Sequence, residues 1–150
     1  MNRRTQGGVT TVEFAIVGLV LLTTLFAIIE FGRIVFTYNV LQEGARRAAR
    51  VAAVCPVNDP AIARIAVLLP LPNLTTDNVE TTYLDVNGAL LAAPGTTEYG
   101  QIAFVRVRIV DYSFEVFIPL VPRFLNARQF SSTLPRESLG VAYEGASPAC

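Results

Sequence analysis

The sequence predicts an α+β protein: a long N-terminal helix, transmembrane in its first half and amphipathic in its second, followed by a small domain whose antiparallel sheet packs on the half outside the membrane. Three observations carry this. Residues 9–29 hold one charge, Glu13, in an otherwise uncharged, mostly apolar run. Between residues 41 and 52 small or apolar side chains recur every third or fourth position, the period of one helix face. Residues 104–109 alternate apolar with basic side chains, the period-two pattern of a strand with one buried face.

The run from Val9 to Ile29, about 21 residues, matches a hydrocarbon core about 30 Å thick at the rise of an α-helix. It continues in a helical pattern through Glu30-Phe31-Gly32-Arg33 instead of stopping at small residues, which favours an anchor over a cleaved secretory signal. Arginines flank both ends, Arg3 and Arg4 before and Arg33, Arg46, Arg47 and Arg50 after, so charge alone leaves the orientation open. The short leader and the cysteines favour a cytoplasmic N-terminus. Inside the span, Gly18, Thr23, Thr24 and Ala27 offer a small-residue face to another helix.

Beyond the span, Leu41, Ala45, Ala48 and Ala52 share one side while Gln42, Glu43, Arg46, Arg47 and Arg50 gather on the other. One helix is expected from Val9 to Val54, with Glu43 pairing Arg47 in the favourable acid-first order. The small side chains at Ala45, Ala48, Ala49, Ala52 and Ala53 permit a close approach, expected to be by the chain's own domain. Cys55-Pro56 ends the helix, because a residue before proline is pushed out of the helical region. The chain therefore divides into a leader, 1–8, a helix, 9–54, and a domain, 55–150.

Within the domain, Pro60 to Leu69 reads as a short helix entered from Asn58-Asp59 and closed by Pro70 and Pro72. Val79 to Val86 reads as a strand, and Asn87-Gly88 as a tight turn leading to a short returning segment, Ala89 to Ala93, broken at Pro94-Gly95. Ile102 to Phe117 reads as the longest strand, with a change of phase at Val110-Asp111 that predicts a bulge. A bend at Pro119 and Pro122 and a final strand from Glu137 to Tyr143 complete a sheet of three or four strands.

Composition bounds the function. The chain has 150 residues, 52% of them hydrophobic, enough for one anchor and one small domain. Its net charge is zero with the arginines dispersed, which argues against a nucleic-acid partner. Histidine is absent, removing the commonest general base and transition-metal ligand. No nucleophile motif or cluster of titratable groups points to a catalytic site, a small-molecule substrate or a cofactor. Asn73, Asp77, Asn78 and Glu80 are weak calcium candidates that fit a solvated turn better. Asn73-Leu74-Thr75 matches a glycosylation sequon, which has little bearing in a bacterial host.

Glu13 is the most informative single residue. A carboxylate where hydrocarbon begins is costly and rare unless partnered. Followed by Phe14 and preceded at five positions by Gly8, with a basic leader ahead, it resembles a prepilin-type processing and assembly signal. Cleavage after Gly8 makes Val9 the new N-terminus, whose α-amino group on a neighbouring subunit is able to neutralise Glu13. The plainer alternative is that Glu13 lies at headgroup level in an ordinary anchor. Cys55 and Cys150 fit an exported domain in an oxidising compartment, where their pairing would tie the last residue to the end of the helix. Two free thiols are the alternative.

As a set, Gly8-Val9, Glu13-Phe14, the apolar span, Ile29-Glu30-Phe31-Gly32-Arg33 and Leu41-Gln42-Glu43-Gly44-Ala45-Arg46-Arg47-Ala48-Ala49-Arg50 resemble the N-terminal signature of TadE-like proteins of tight-adherence (Flp-type) pilus systems. Val105-Arg106-Val107-Arg108, the bend at Pro119 to Pro122 and Pro135-Arg136-Glu137 are similar to that family's C-terminal half. The resemblance implies a pseudopilin or minor pilin of the bacterial inner membrane, with its C-terminal domain in the periplasm. It further implies processing by a prepilin peptidase and association with other pilins and an inner-membrane assembly platform in building an adhesive pilus. Gly8 and Val9 would then flank the cut, and Glu13 with Phe14 would act in processing or subunit registry. Val9 differs from the Phe that begins many type IV pilins. Two other classes stay open: an uncleaved bitopic protein presenting a periplasmic interaction domain, and a membrane-anchored enzyme, for which the sequence offers no constellation.

Overall fold

One α-helix dominates the molecule. In the computed structural model, which describes residues 7–68, 71–117, 124–126, 130–141 and 150, α1 runs unbroken over Gly7–Val54. At 48 residues it is about 72 Å long. Residues 8–29 are largely exposed: Phe14, Leu19, Phe26 and Ile29 all are. Thr23 and Thr24 return their hydroxyl protons to the carbonyls of Leu19 and Val20, so neither leaves an unsatisfied donor on this apolar stretch.

Its second half is the floor of the domain. Leu41, Ala45, Ala48, Ala49 and Ala52 are completely buried, the face the helical spacing predicts. The exposed side carries the expected Glu43–Arg47 pair, 2.8 Å apart. Against this floor lie α2, Pro60–Ala66, and a three-stranded antiparallel sheet. Asp59 caps α2 by accepting from the Ala61 N–H at 2.8 Å, with Pro60 at the first helical position, where a missing N–H costs nothing. The helix stops at Ala66, shorter than the reading to Leu69, which lies outside the described residues with Pro70.

The sheet is ordered β1-β2-β5, with β1 at Val79–Leu84, β2 at Phe104–Ile109 and β5 at Phe130–Pro135. In the central strand, Val105, Val107 and Ile109 point to the helices and are buried, while Phe104, Arg106 and Arg108 face outward. On the outer face Arg108 pairs with Glu80 across the strands at 2.8 Å and Arg106 donates to Thr133 Oγ1 at 3.1 Å. Burying large aliphatic side chains such as Ile62, Ile102 and Ile109 against the alanine floor stabilises the domain by about 1.5–3 kcal/mol each.

The structure corrects three expectations. The long strand from Ile102 to Phe117 is two strands, because Asp111 turns to φ 53° and breaks the ladder. Val110 is held there by Asn78, whose carbonyl accepts from the Val110 N–H at 2.8 Å and whose amide donates back at 3.2 Å. The chain leaves the first sheet and forms β3, Ser113–Glu115, which pairs with β4, Phe124–Asn126, in a separate two-stranded sheet. The segment returning after the Asp85–Gly88 turn makes a single bridge, Leu84 to Leu90, and no strand.

Among the described residues the last strand is β5, and Glu137 to Val141, the described part of the expected Glu137–Tyr143 strand, is not one. After Pro135 the chain turns to the end of α1, where Glu137 and Leu139 N–H donate to Ala53 O, and Gly140 N–H and Ser138 Oγ donate to Val54 O. These groups satisfy helix carbonyls that have no partner within α1, so they are unavailable for a strand. Gly140 has φ 81°, and a Cβ there would lie 2.6 Å from Pro56 Cγ, so this cap admits glycine alone. Ala142 and Tyr143, the bend from Pro119 to Pro122 and the 145–148 tail lie outside the described residues.

Candidate functional site

The sequence singles out residues at both ends of α1. Gly8 and Val9 lie in its first turns, Val9 is 71% exposed, and nothing approaches within 4 Å of a Cβ built on Gly8. The helix begins at Gly7 rather than Val9, so the Gly8–Val9 peptide is itself helical. Glu13 follows in the next turn with Phe14, which is 78% exposed, and among the described residues no cation pairs with Glu13. These four residues lie on an exposed, largely apolar helix end that carries one carboxylate.

At the other end Cys55 and Cys150 are joined by a disulfide spanning 95 positions, with Cα atoms 6.0 Å apart. It sits beside the 137–140 cap, so the last residue, the exit of β5 and the end of α1 are fastened at one point. Cys55 itself is buried.

Between the two ends is a cluster the sequence reading passed over. Glu30, one residue past the apolar run, is the first buried side chain along α1, at 6% exposure. Both its oxygens face Arg33, and Oε1 also accepts from the Phe117 N–H at 3.2 Å. Arg33 donates in addition to the Glu115 carbonyl, and its guanidinium carbon lies 5.2 Å from the centre of the Phe117 ring. The hydrogen bond from Arg33 holds the Glu30 carboxyl below the usual carboxylate range, outweighing its burial. Thr37, Tyr112 and Phe114 line a cavity of about 170 Å³ beside this cluster. A Glu and an Arg three apart at the end of an apolar run are the signal that marks it. The partner strand lies more than eighty positions away and has no sequence mark of that contact.

Two of the four weak calcium candidates, Asn78 and Glu80, are used structurally. Asn78 Oδ1 accepts from Thr75 N–H and Oγ1, and Glu80 is paired with Arg108. Among the described residues no group of three acidic, cysteine or histidine side chains is arranged to hold a metal ion.

The class these features define is an α+β protein with one exposed apolar helix, long enough to cross a membrane, carrying a small sheet domain on its far half. Residues 8–50, the helix almost to its end, match the model of the TadE-like protein family. Over that stretch the chain is similar to TadE-like proteins, in agreement with the resemblance in the helix. No curated protein and no solved structure matches the chain.

Proposed function

We propose that the protein is a pseudopilin or minor pilin acting in assembly of an adhesive tight-adherence pilus, associating with other subunits through residues 9–29. The observation that carries this reading is the contrast along α1. Among the described residues the first half is apolar and exposed, while the second half is buried along its alanine face. An exposed apolar stripe of this length needs lipid or other helices to cover it, and a TadE-like match over the same residues supports pilus components as those helices.

In this reading residues 1–8 are a cytoplasmic leader, residues 9–54 the membrane helix and its extension, and residues 55–150 a periplasmic domain. A prepilin peptidase cuts between Gly8 and Val9. An inner-membrane platform then draws the helix into a growing bundle, where Glu13 meets the α-amino group of a neighbour's Val9 and sets axial register. Phe14 packs beside it. The role is associative and requires no bond-making chemistry by the chain itself. The Cys55–Cys150 disulfide suits a domain exported to an oxidising compartment.

The test is the intact mass and N-terminal sequence of the protein from its native host, with and without the peptidase. A chain that starts at Val9 only when the peptidase is present supports the reading. A chain that keeps Arg3 and Arg4 in both hosts overturns it in favour of a permanent bitopic protein.

A further inference from the structure

The tip that follows β3 is fixed to α1 within one turn of the end of the apolar span. Phe117 N–H is bonded to Glu30, and Arg33 reaches both the Glu115 carbonyl and the Phe117 ring face. Residues 30–33 lie within about 6 Å of Ile29 along the helix axis. Phe117 is therefore held at the depth where hydrocarbon gives way to headgroups if residues 9–29 cross the bilayer. At that depth its ring is 71% exposed, and Phe31 on α1 itself is 67% exposed. The Arg33 side chain is 37% exposed, and its Nη1 makes no hydrogen bond among the described residues. The sequence after Phe117 stays uncharged through Ile118-Pro119-Leu120-Val121-Pro122 to Arg123.

We propose that this tip is a second contact with the membrane: Phe117 enters the boundary between headgroups and acyl chains, and Arg33 meets lipid phosphates with its free guanidinium edge. An exposed aromatic ring and an arginine at that level are each more favourably placed in the interface than in water. The ring is removed from water, and the long basic side chain reaches the phosphates from an apolar stem. The consequence is a domain that touches the bilayer at two points, α1 and the β3 tip, and so cannot tilt freely about the helix. The Glu30–Arg33 pair is the joint between them, since it bonds both. The inference rests on the reading that residues 9–29 cross the bilayer.

The chain has no tryptophan, so one substitution supplies a unique fluorophore. We would reconstitute the full chain at low protein density in vesicles of phosphatidylcholine and phosphatidylglycerol carrying bromines near the headgroup or at mid-chain. Four variants are compared: Leu21→Trp in the span, Phe31→Trp as a depth standard, Phe117→Trp, and Val86→Trp on the exposed turn beyond the far end of β1. The expected result is mid-chain quenching of L21W, and blue-shifted emission of F117W with shallow quenching that matches F31W and exceeds V86W several-fold. Water-like, unquenched F117W beside a quenched L21W overturns the second contact while the span stands. An unquenched L21W overturns the span and the inference together. An F117W signal that shifts only at high protein density, without lipid quenching, assigns the tip to a second copy and also overturns the proposal. Far-ultraviolet dichroism checks that the Phe117 variant, an aromatic exchange at an exposed position, keeps the fold.

Discussion

Gly44 of α1 faces the carbonyl oxygen of Ala66 in α2 so closely that a Cβ on Gly44 would lie 2.5 Å from it. The glycine in Glu43-Gly44-Ala45 is thus where the two helices touch. Propensity alone makes Gly44→Ala stabilising by about 1 kcal/mol in a helix interior. The obstruction is backbone and cannot swing aside, so the clash, about 1–3 kcal/mol, prevails. The variant should melt several degrees lower in detergent; an unchanged or higher midpoint would show that α2 moves away without cost.

The disulfide ties the last residue to the end of α1, closing a loop of 95 positions. On the chain-entropy estimate its loss removes up to about 4–5 kcal/mol, mostly by freeing the unfolded chain. Cys150→Ser should lower the denaturant midpoint, and reduced wild-type protein should fall on the same curve. A midpoint indifferent to reductant would mean that the 137–140 cap holds the terminus by itself.

Glu30 carries a pH prediction with a definite sign. Its carboxyl is held below the ordinary value of 4.5 chiefly by the Arg33 hydrogen bond. A depressed folded pKa stabilises fully above the unfolded value, and the stabilisation is lost as pH falls through the folded one. The groups that face it are Arg33, beneath it on α1, and the Phe117 N–H, with the Glu115 carbonyl on the far side of Arg33. The Phe117 amide resonance should titrate with a midpoint below 4.5. A midpoint above that value contradicts the assignment. Glu30→Ala should cost about 1–3 kcal/mol, because it leaves Arg33 partly unpaired where it is half-buried.

Glu13 predicts the opposite pattern. No cation meets it among the described residues and the surrounding helix is exposed, so Glu13→Ala should leave domain stability unchanged within about 0.5 kcal/mol. Under the proposed function the same variant inserts in the membrane but fails to support pili. Normal piliation by electron microscopy would remove Glu13 from the mechanism.

Most of the architecture was legible because its signals are local. The apolar run of the long helix, the alanine face and the alternation at Val105, Val107 and Ile109 extend over many neighbouring residues, and each stands where the pattern places it. What was missed is decided by distant partners. β5 alternates Ser131 and Thr133 with Ser132 and Leu134, too polar on both faces to stand out, and becomes a strand because β2 offers it a ladder. The stretch from Glu137 looked like a strand but is taken by the carbonyls of Ala53 and Val54. The break at Asp111 was visible as a change of phase, though not that Asn78 would hold it open. Of the candidate site, Glu13 and Gly8 are proposed from their cost and spacing, whereas the Glu30–Phe117 contact depends on a residue 87 positions away.

Because α1 has no break between its bare half and its packed half, the molecule has no swivel. Turning the apolar stretch about its own axis turns the sheet through the same angle, and changing which face meets a neighbour by one residue swings the domain by about 100°. Under the proposed function, with residues 9–29 in the bilayer, the bearing of the domain, and hence what its outer face can reach, is chosen inside the membrane.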